Sequence, residues 1–109
     1  MRIIGGAFKG RKFIPPAKNW PTRPTTDFAK EGLFNILQNR LDFEDLEVLD
    51  LFGGTGSHSY EFLSRGAKSS VYVDKFPGCI QFAKKMVSEL KLEHQMTIVR
   101  ADVFKFIKT

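Results

Sequence analysis

Val48-Leu49-Asp50-Leu51-Phe52-Gly53-Gly54-Thr55-Gly56-Ser57 is the stretch from which the fold is read. Its apolar start, bounded by glycines, predicts a buried parallel strand, because a strand covered on both faces needs no polar alternation. The glycines predict a tight loop whose backbone approaches a ligand closely, since no Cβ holds it off. Ser57 is expected to cap a helix ending near Arg65, with Gly66 as its stop.

Downstream, Ser70-Val71-Tyr72-Val73-Asp74 predicts a second strand and Met96-Thr97-Ile98-Val99-Arg100 a third. Between them Pro77 suits the first turn of a helix whose Ile80, Ala83, Val87 and Leu90 share one face. Cys79 lies on that apolar side and is expected to fill core. Strand–helix–strand–helix–strand is the first half of a doubly wound α/β sheet. Upstream, Thr26 or Asp27 can cap a helix through Gln38, with Phe28, Leu33, Ile36 and Leu37 as its apolar face. Residues 2–4 and 11–14 are β-prone and read as a glycine-rich hairpin, and Pro15, Pro16, Pro21 and Pro24 predict extended chain after it. The expected organisation is an N-terminal arm, residues 1–26, followed by half of a nucleotide-binding domain, residues 27–109.

Three acids carry the chemistry. Asp50, Asp74 and Asp102 each stand at the carboxyl end of a predicted strand, where ligands bind in open α/β sheets. Asp74 follows the glycine loop by about 20 residues, the place of an acid that takes ribose hydroxyls. A dinucleotide fingerprint needs a third glycine, and Ser59 stands there instead. A carboxylate at 50 would repel a pyrophosphate but suits a ligand bearing a sulfonium and an ammonium, which favours S-adenosylmethionine over a nicotinamide cofactor. Any one of the acids, taken alone, is more often a helix cap or turn former than a ligand residue, and it is the joint pattern that argues for a site. His58 and His94 read as packing or surface residues and no metal site is expected, because neither has a partner at ligand spacing. Phe104 and Phe106 read as core or a short amphipathic segment, Lys84 and Lys85 as a solvated helix face.

Charge is uneven. The chain carries a net charge of +5, yet residues 1–26 hold Arg2, Lys9, Arg11, Lys12, Lys18 and Arg23 without an acid, while the remainder is nearly neutral. Such a concentrated basic segment is either a solvated arm or the footprint of a phosphate-bearing partner. No apolar run approaches the ~18 residues of a membrane span, and the start lacks the apolar core of a secretory signal. A single cysteine excludes an internal disulfide and fits a reducing, cytoplasmic setting.

Met1-Arg2-Ile3-Ile4-Gly5-Gly6, Lys9-Gly10-Arg11, Arg23-Pro24-Thr25-Thr26-Asp27 and Lys30-Glu31-Gly32-Leu33-Phe34-Asn35-Ile36-Leu37 closely resemble the bacterial 16S rRNA guanine-N2 methyltransferase family. So do the loop from Leu49 to Ser57 and Ser64-Arg65-Gly66-Ala67. The resemblance covers essentially the whole chain and implies a class I S-adenosylmethionine-dependent methyltransferase with a Rossmann-like sheet. It implies that Asp50, Phe52, Gly53, Gly54, Thr55 and Gly56 cradle the methionine part of the cofactor. Asp74, with Lys75 beside it, would hold the ribose, Asp102 would meet the adenine amine, and Arg23 and Thr25 would close over the top. Arg2, Lys9, Arg11 and Lys12 would meet phosphates of 16S rRNA or a small-subunit assembly intermediate. Family members often carry alanine where Gly53 stands, which is expected to leave the loop workable. The family's Asn/Asp-Pro-Pro-aromatic motif, which orients the target amine after a fourth strand, does not occur in these 109 residues, so no catalytic residue is named. The expectation is a fragment inactive by itself and prone to self-association along an unpaired strand edge. Competing readings are an adenine-N6 methyltransferase, a nicotinamide-dependent oxidoreductase and a non-catalytic RNA-binding module.

Overall fold

The computed structural model describes residues 1–14 and 26–108. The proline-bearing stretch, with Arg23 and Thr25, lies outside the described residues. The elements run α1 (Asp27–Arg40), a 3-10 turn (Phe43–Asp45), β1 (Glu47–Leu51), α2 (Ser57–Ser64), β2 (Ser69–Asp74), α3 (Pro77–Leu90), β3 (Met96–Arg100) and α4 (Val103–Lys108). The strands form one parallel sheet in the order β1-β2-β3. This is the expected half of a Rossmann-like α/β sheet.

Right-handed crossovers that step the same way put their helices on the same side of a sheet. Accordingly Tyr60 and Leu63 of α2 and Ile80, Ala83, Met86, Val87 and Leu90 of α3 share one core with Tyr72 and Met96. Cys79 is buried, as its place on the apolar side of α3 requires. Pro77 opens α3, and Lys91 ends it in a left-handed conformation.

Register and pleat sort the strand side chains into two sets. Val48, Ser70 and Met96 align across the sheet, as do Asp50, Tyr72 and Ile98, and these rows face the α2/α3 core. The alternate rows begin with Leu49 and Leu51. Leu49 is 54% exposed, so β1 is covered on one face only, unlike the fully buried strand its composition predicts. An apolar run records capacity for burial, and the second covering layer has to come from elsewhere in the fold.

Helix α1 departs from expectation in its buried face. Thr26 caps it, its hydroxyl accepting from the Ala29 amide at 3.2 Å, but the helix continues to Arg40. Phe28 is 89% exposed and Leu33 and Ile36 are exposed as well; Lys30 and Phe34 are the residues buried. These two lie one turn apart on a line that meets α2, where Phe34 packs edge-on against Phe62 with ring centroids 4.6 Å apart. A buried lysine wins a core position because an anion waits for it.

That anion is Glu61 of α2, which also ties down the N-terminus. The hairpin is reduced to a single antiparallel bridge, Arg2 with Lys12. Ile3 and Phe13 still donate across the hairpin, but amides between them turn to α2: Ile4 and Gly5 donate to the two Glu61 carboxylate oxygens at 2.9 Å each, and Ala7 donates to the Ser64 carbonyl at 2.7 Å. Ile3 and Phe13 enter the common core. Gly6 has φ +79°, and a Cβ there would lie 1.9 Å from the Ser64 carbonyl oxygen, so only glycine lets the hairpin approach α2 this closely.

Candidate functional site

Strand β1 ends at Leu51, one residue earlier than expected, and Phe52 turns out of the sheet with φ +56°. Gly54 and Gly56 also take positive φ. The cap of α2 is Gly56, not Ser57, which is the first helical residue. The left-handed backbone at 56 ends the loop and starts the helix in one step, and no side-chain cap is involved.

The loop is held by backbone and by Asp74. The Gly53 amide donates to the Val73 carbonyl at 3.0 Å, and the Gly56 amide to the Gly53 carbonyl at 2.9 Å. Asp74, buried at the end of β2, accepts from the Gly54 amide on Oδ2 and from the Phe76 amide on Oδ1, each at 2.9 Å. Two amides therefore fix the orientation of this carboxylate while each oxygen keeps a further acceptor site.

A cavity of about 470 Å³ opens beside it, lined by Phe52, Asp74, Lys75, Phe76, Pro77, Ala101, Asp102, Val103 and Phe104. It lies where the carboxyl ends of β2 and β3 meet the loop, the position of ligand crevices in open α/β sheets. Of the expected cofactor residues Phe52, Asp74, Lys75 and Asp102 line it, whereas Asp50, Gly53, Gly54, Thr55 and Gly56 are not part of the lining. Asp102 Oδ1 accepts from the Phe104 amide at 2.9 Å, and its Oδ2 lies 4.0 Å from Lys75 Nζ. Phe104 is 67% exposed and meets Phe52 edge-on with centroids 5.9 Å apart, forming an aromatic rim.

Asp50 is placed differently. The pleat directs it to the α2 side, where its Oδ2 accepts from the Ser59 hydroxyl at 2.5 Å, and Ser59 meets the Ser70 hydroxyl at 2.9 Å. It borders a shallow depression with Leu33, Val48, Leu49, Leu51, His58 and Phe62, apart from the cavity of Asp74. Burial pushes its carboxyl above the ordinary range, the Ser59 hydrogen bond and nearby His58 opposing that in part. Ser59, where a dinucleotide fingerprint has its third glycine, is thus the partner of Asp50. His58 stacks on Phe34 at 6.1 Å, a packing role. Among the described residues no three His, Cys, Asp or Glu converge as metal ligands would.

Two residues of this site were missed in the sequence. Tyr72, fully buried on β2, lies under the loop and its hydroxyl donates to the Gly54 carbonyl. A Cβ on Gly53 would lie 2.3 Å from the Tyr72 ring, so glycine at this position is what admits that ring beneath the loop. Tyr60 lies beneath Gly56, and its buried hydroxyl has no hydrogen-bond partner among the described residues. Their only signal was two aromatic residues at core positions, and nothing local distinguishes such residues from ordinary packing.

Of the RNA-facing candidates, Lys9, Arg11 and Lys12 are exposed on the hairpin, while Arg2 lies 3.2 Å from Asp27. Arg23 and Thr25 are outside the described residues.

Comparison with known proteins agrees with this architecture. The ribosomal RNA small subunit methyltransferase D of Haemophilus influenzae is 35% identical over 109 residues, covering 99% of this chain and 55% of that protein. A solved structure of a hypothetical protein from Thermus thermophilus superposes with a TM-score of 0.85 at 29% identity, covering 99% of this chain and 59% of that one. The C-terminal domain of precorrin-6Y C5,15-methyltransferase from Rhodobacter capsulatus shares the fold alone, with a TM-score of 0.56 at 20% identity over 60% of this chain and 35% of its own. The chain spans about half the length of the curated relatives that match nearly all of it, between 48% and 55% of each of four such proteins. The family described as "Conserved hypothetical protein 95" matches residues 1–109, so the chain belongs to that family.

Proposed function

We propose that this chain is the cofactor-binding half of an S-adenosylmethionine-dependent methyltransferase whose substrate is a guanine N2 in 16S rRNA. The observation that carries the reading is the cavity where the glycine loop, Asp74 and Asp102 converge. The donor set fits the cofactor. Phe76, Pro77, Ala101 and Val103 offer an apolar bed for a flat heterocycle, and the oriented Asp74 carboxylate offers acceptors to a vicinal diol. Asp102 at the rim offers an acceptor to an exocyclic amine, and Gly53, Gly54 and Gly56 present no side chain to obstruct the thioether arm, while Thr55 between them is buried. Ser59 stands where a dinucleotide fingerprint has its third glycine, which disfavours a dinucleotide.

When bound, the cofactor supplies an electrophilic methyl group on a sulfonium. This chain's residues bind and orient: Asp74 and Asp102 fix the nucleoside, and Asp50, behind the loop and linked to Ser59, contributes negative potential toward the cationic end. Phe52 and Phe104 shield the cavity mouth from water. Lys9, Arg11 and Lys12, together with Arg2, attract RNA phosphates. A guanine N2 has its lone pair delocalised into the ring, so transfer requires orientation of the base as well as of the donor. None of the 109 residues is assigned that task.

The test is calorimetric titration with S-adenosylhomocysteine and, separately, NADH. Binding of the first alone, weakened in Asp74→Ala, supports the reading; binding of NADH alone overturns it. Salt-sensitive RNA binding that weakens when Lys9, Arg11 and Lys12 are replaced together tests the substrate class.

A further inference from the structure

Asp74 is oriented by two amides, and one of them belongs to a residue with unusual freedom. Gly54 has φ +57°, and its peptide groups are kept from rotating by contacts at both ends: N–H on Asp74 Oδ2 and C=O on the Tyr72 hydroxyl. Tyr72 is fully buried, and its ring occupies the space that a side chain at position 53 would need, with Cε2 and Cδ2 within 2.4 Å of where a Cβ would stand. Gly53 and Tyr72 are therefore two halves of one arrangement. The missing side chain admits the ring, and the ring carries a hydroxyl to the next carbonyl.

We propose that Tyr72 is a positioning residue for the nucleoside end of the cofactor, acting through Gly54 on Asp74. The proposal rests on the cofactor reading above. The phenol touches no ligand; it fixes the peptide after Gly54, and so the backbone angles of Gly54 that keep the preceding peptide's N–H on Asp74 and Asp74 aimed into the cavity. Loss of the hydroxyl leaves a buried carbonyl unpaired and frees a glycine peptide, so the carboxylate loses one of its two orienting donors. Asp74 then has to be ordered by the ligand itself, and affinity falls by that ordering cost.

The experiment measures S-adenosylhomocysteine affinity of the whole chain by calorimetry in wild type, Tyr72→Phe, Asp74→Ala and the double variant, with thermal unfolding of each. Tyr72→Phe is expected to weaken binding about three- to tenfold, the range of one hydrogen bond. In the Asp74→Ala background the same change is expected to have little further effect, because the group it acts through is gone. Equal affinity of wild type and Tyr72→Phe overturns the proposal, and so does an equal loss in both backgrounds, which marks a merely structural role. Gly53→Ala gives the packing half: it lowers the unfolding temperature in wild type and does so far less in Tyr72→Val, where the ring is absent.

If wild type binds no S-adenosylhomocysteine, the cofactor reading fails by itself. Hydrogen exchange at the Gly54 amide in the ligand-free chain then decides the coupling: faster in Tyr72→Phe upholds it, an unchanged rate overturns it.

Discussion

Lys30 Nζ lies 3.2 Å from Glu61 Oε1, and both side chains are at most 1% exposed. The lysine also donates to the Arg2 carbonyl at 2.6 Å and the Ser57 hydroxyl at 3.0 Å, and Arg65 Nε donates to Glu61 Oε2 at 2.8 Å. One carboxylate thus joins α1, α2 and the N-terminal hairpin. Removing one partner of such a pair strands the other charge in the core, which typically costs about 3–5 kcal/mol. Lys30→Ala and Glu61→Ala should each lower the unfolding free energy, measured by urea titration, by that order. A change below ~1 kcal/mol in both would mean that water reaches the pair.

The same carboxylate sets a pH dependence. Burial pushes Glu61 up, but the Ile4 amide, Arg65, the Gly5 amide and Lys30 together outweigh it, so its folded value lies below the ordinary one. A depressed carboxyl contributes stability that is full above the unfolded value, about 4.3, and is lost as pH falls through the folded value. The stability difference between wild type and Glu61→Gln should therefore be constant near neutrality and shrink below about pH 4. Urea titrations from neutral pH into the acid range check this, and a gap that widens toward acid contradicts it.

Asp50 has the opposite sign. Burial holds its carboxyl above the ordinary value despite Ser59 and His58, so its ionised form burdens the fold at neutral pH and the burden eases as pH falls through the raised value. Asp50→Asn keeps an acceptor for Ser59 and should match or exceed wild-type stability at neutral pH, with the advantage disappearing toward acid. Affinity for a sulfonium ligand should fall in the same variant, while an uncharged thioether is little affected. Stability lost at neutral pH would show that the Ser59 contact outweighs burial.

Tyr60→Phe is expected to raise stability by up to about 1 kcal/mol, since its buried hydroxyl has no partner to lose among the described residues. Differential scanning calorimetry measures this, and destabilisation above ~1 kcal/mol would reveal a partner for the hydroxyl.

The exposed side of β1 has consequences for solubility. Leu49 and Leu33 stand exposed near the sheet edge. Leu49→Lys should reduce concentration-dependent association in light scattering without lowering the unfolding temperature. Association unchanged by this charge would place the contact elsewhere.

What the sequence determined by itself is the order of elements and the cavity's acids. The glycine loop after an apolar run, the spacing to Asp74, Pro77 at a helix start and the face formed by Ile80, Ala83, Val87 and Leu90 are local signals, legible because periodicity and backbone permissiveness act within a few residues. Which carboxylate faces the cavity was decided by the pleat, which sent Asp50 to Ser59 and left Asp74 at the open end of β2. That α1 buries Lys30 in preference to Phe28, and that Gly53 is tied to Tyr72, depended on partners 31 and 19 positions away along the chain. Hydrophobic pattern measures what a side chain tolerates; only the assembled fold supplies the charge or ring that meets it, because such pairings form between segments brought together by topology.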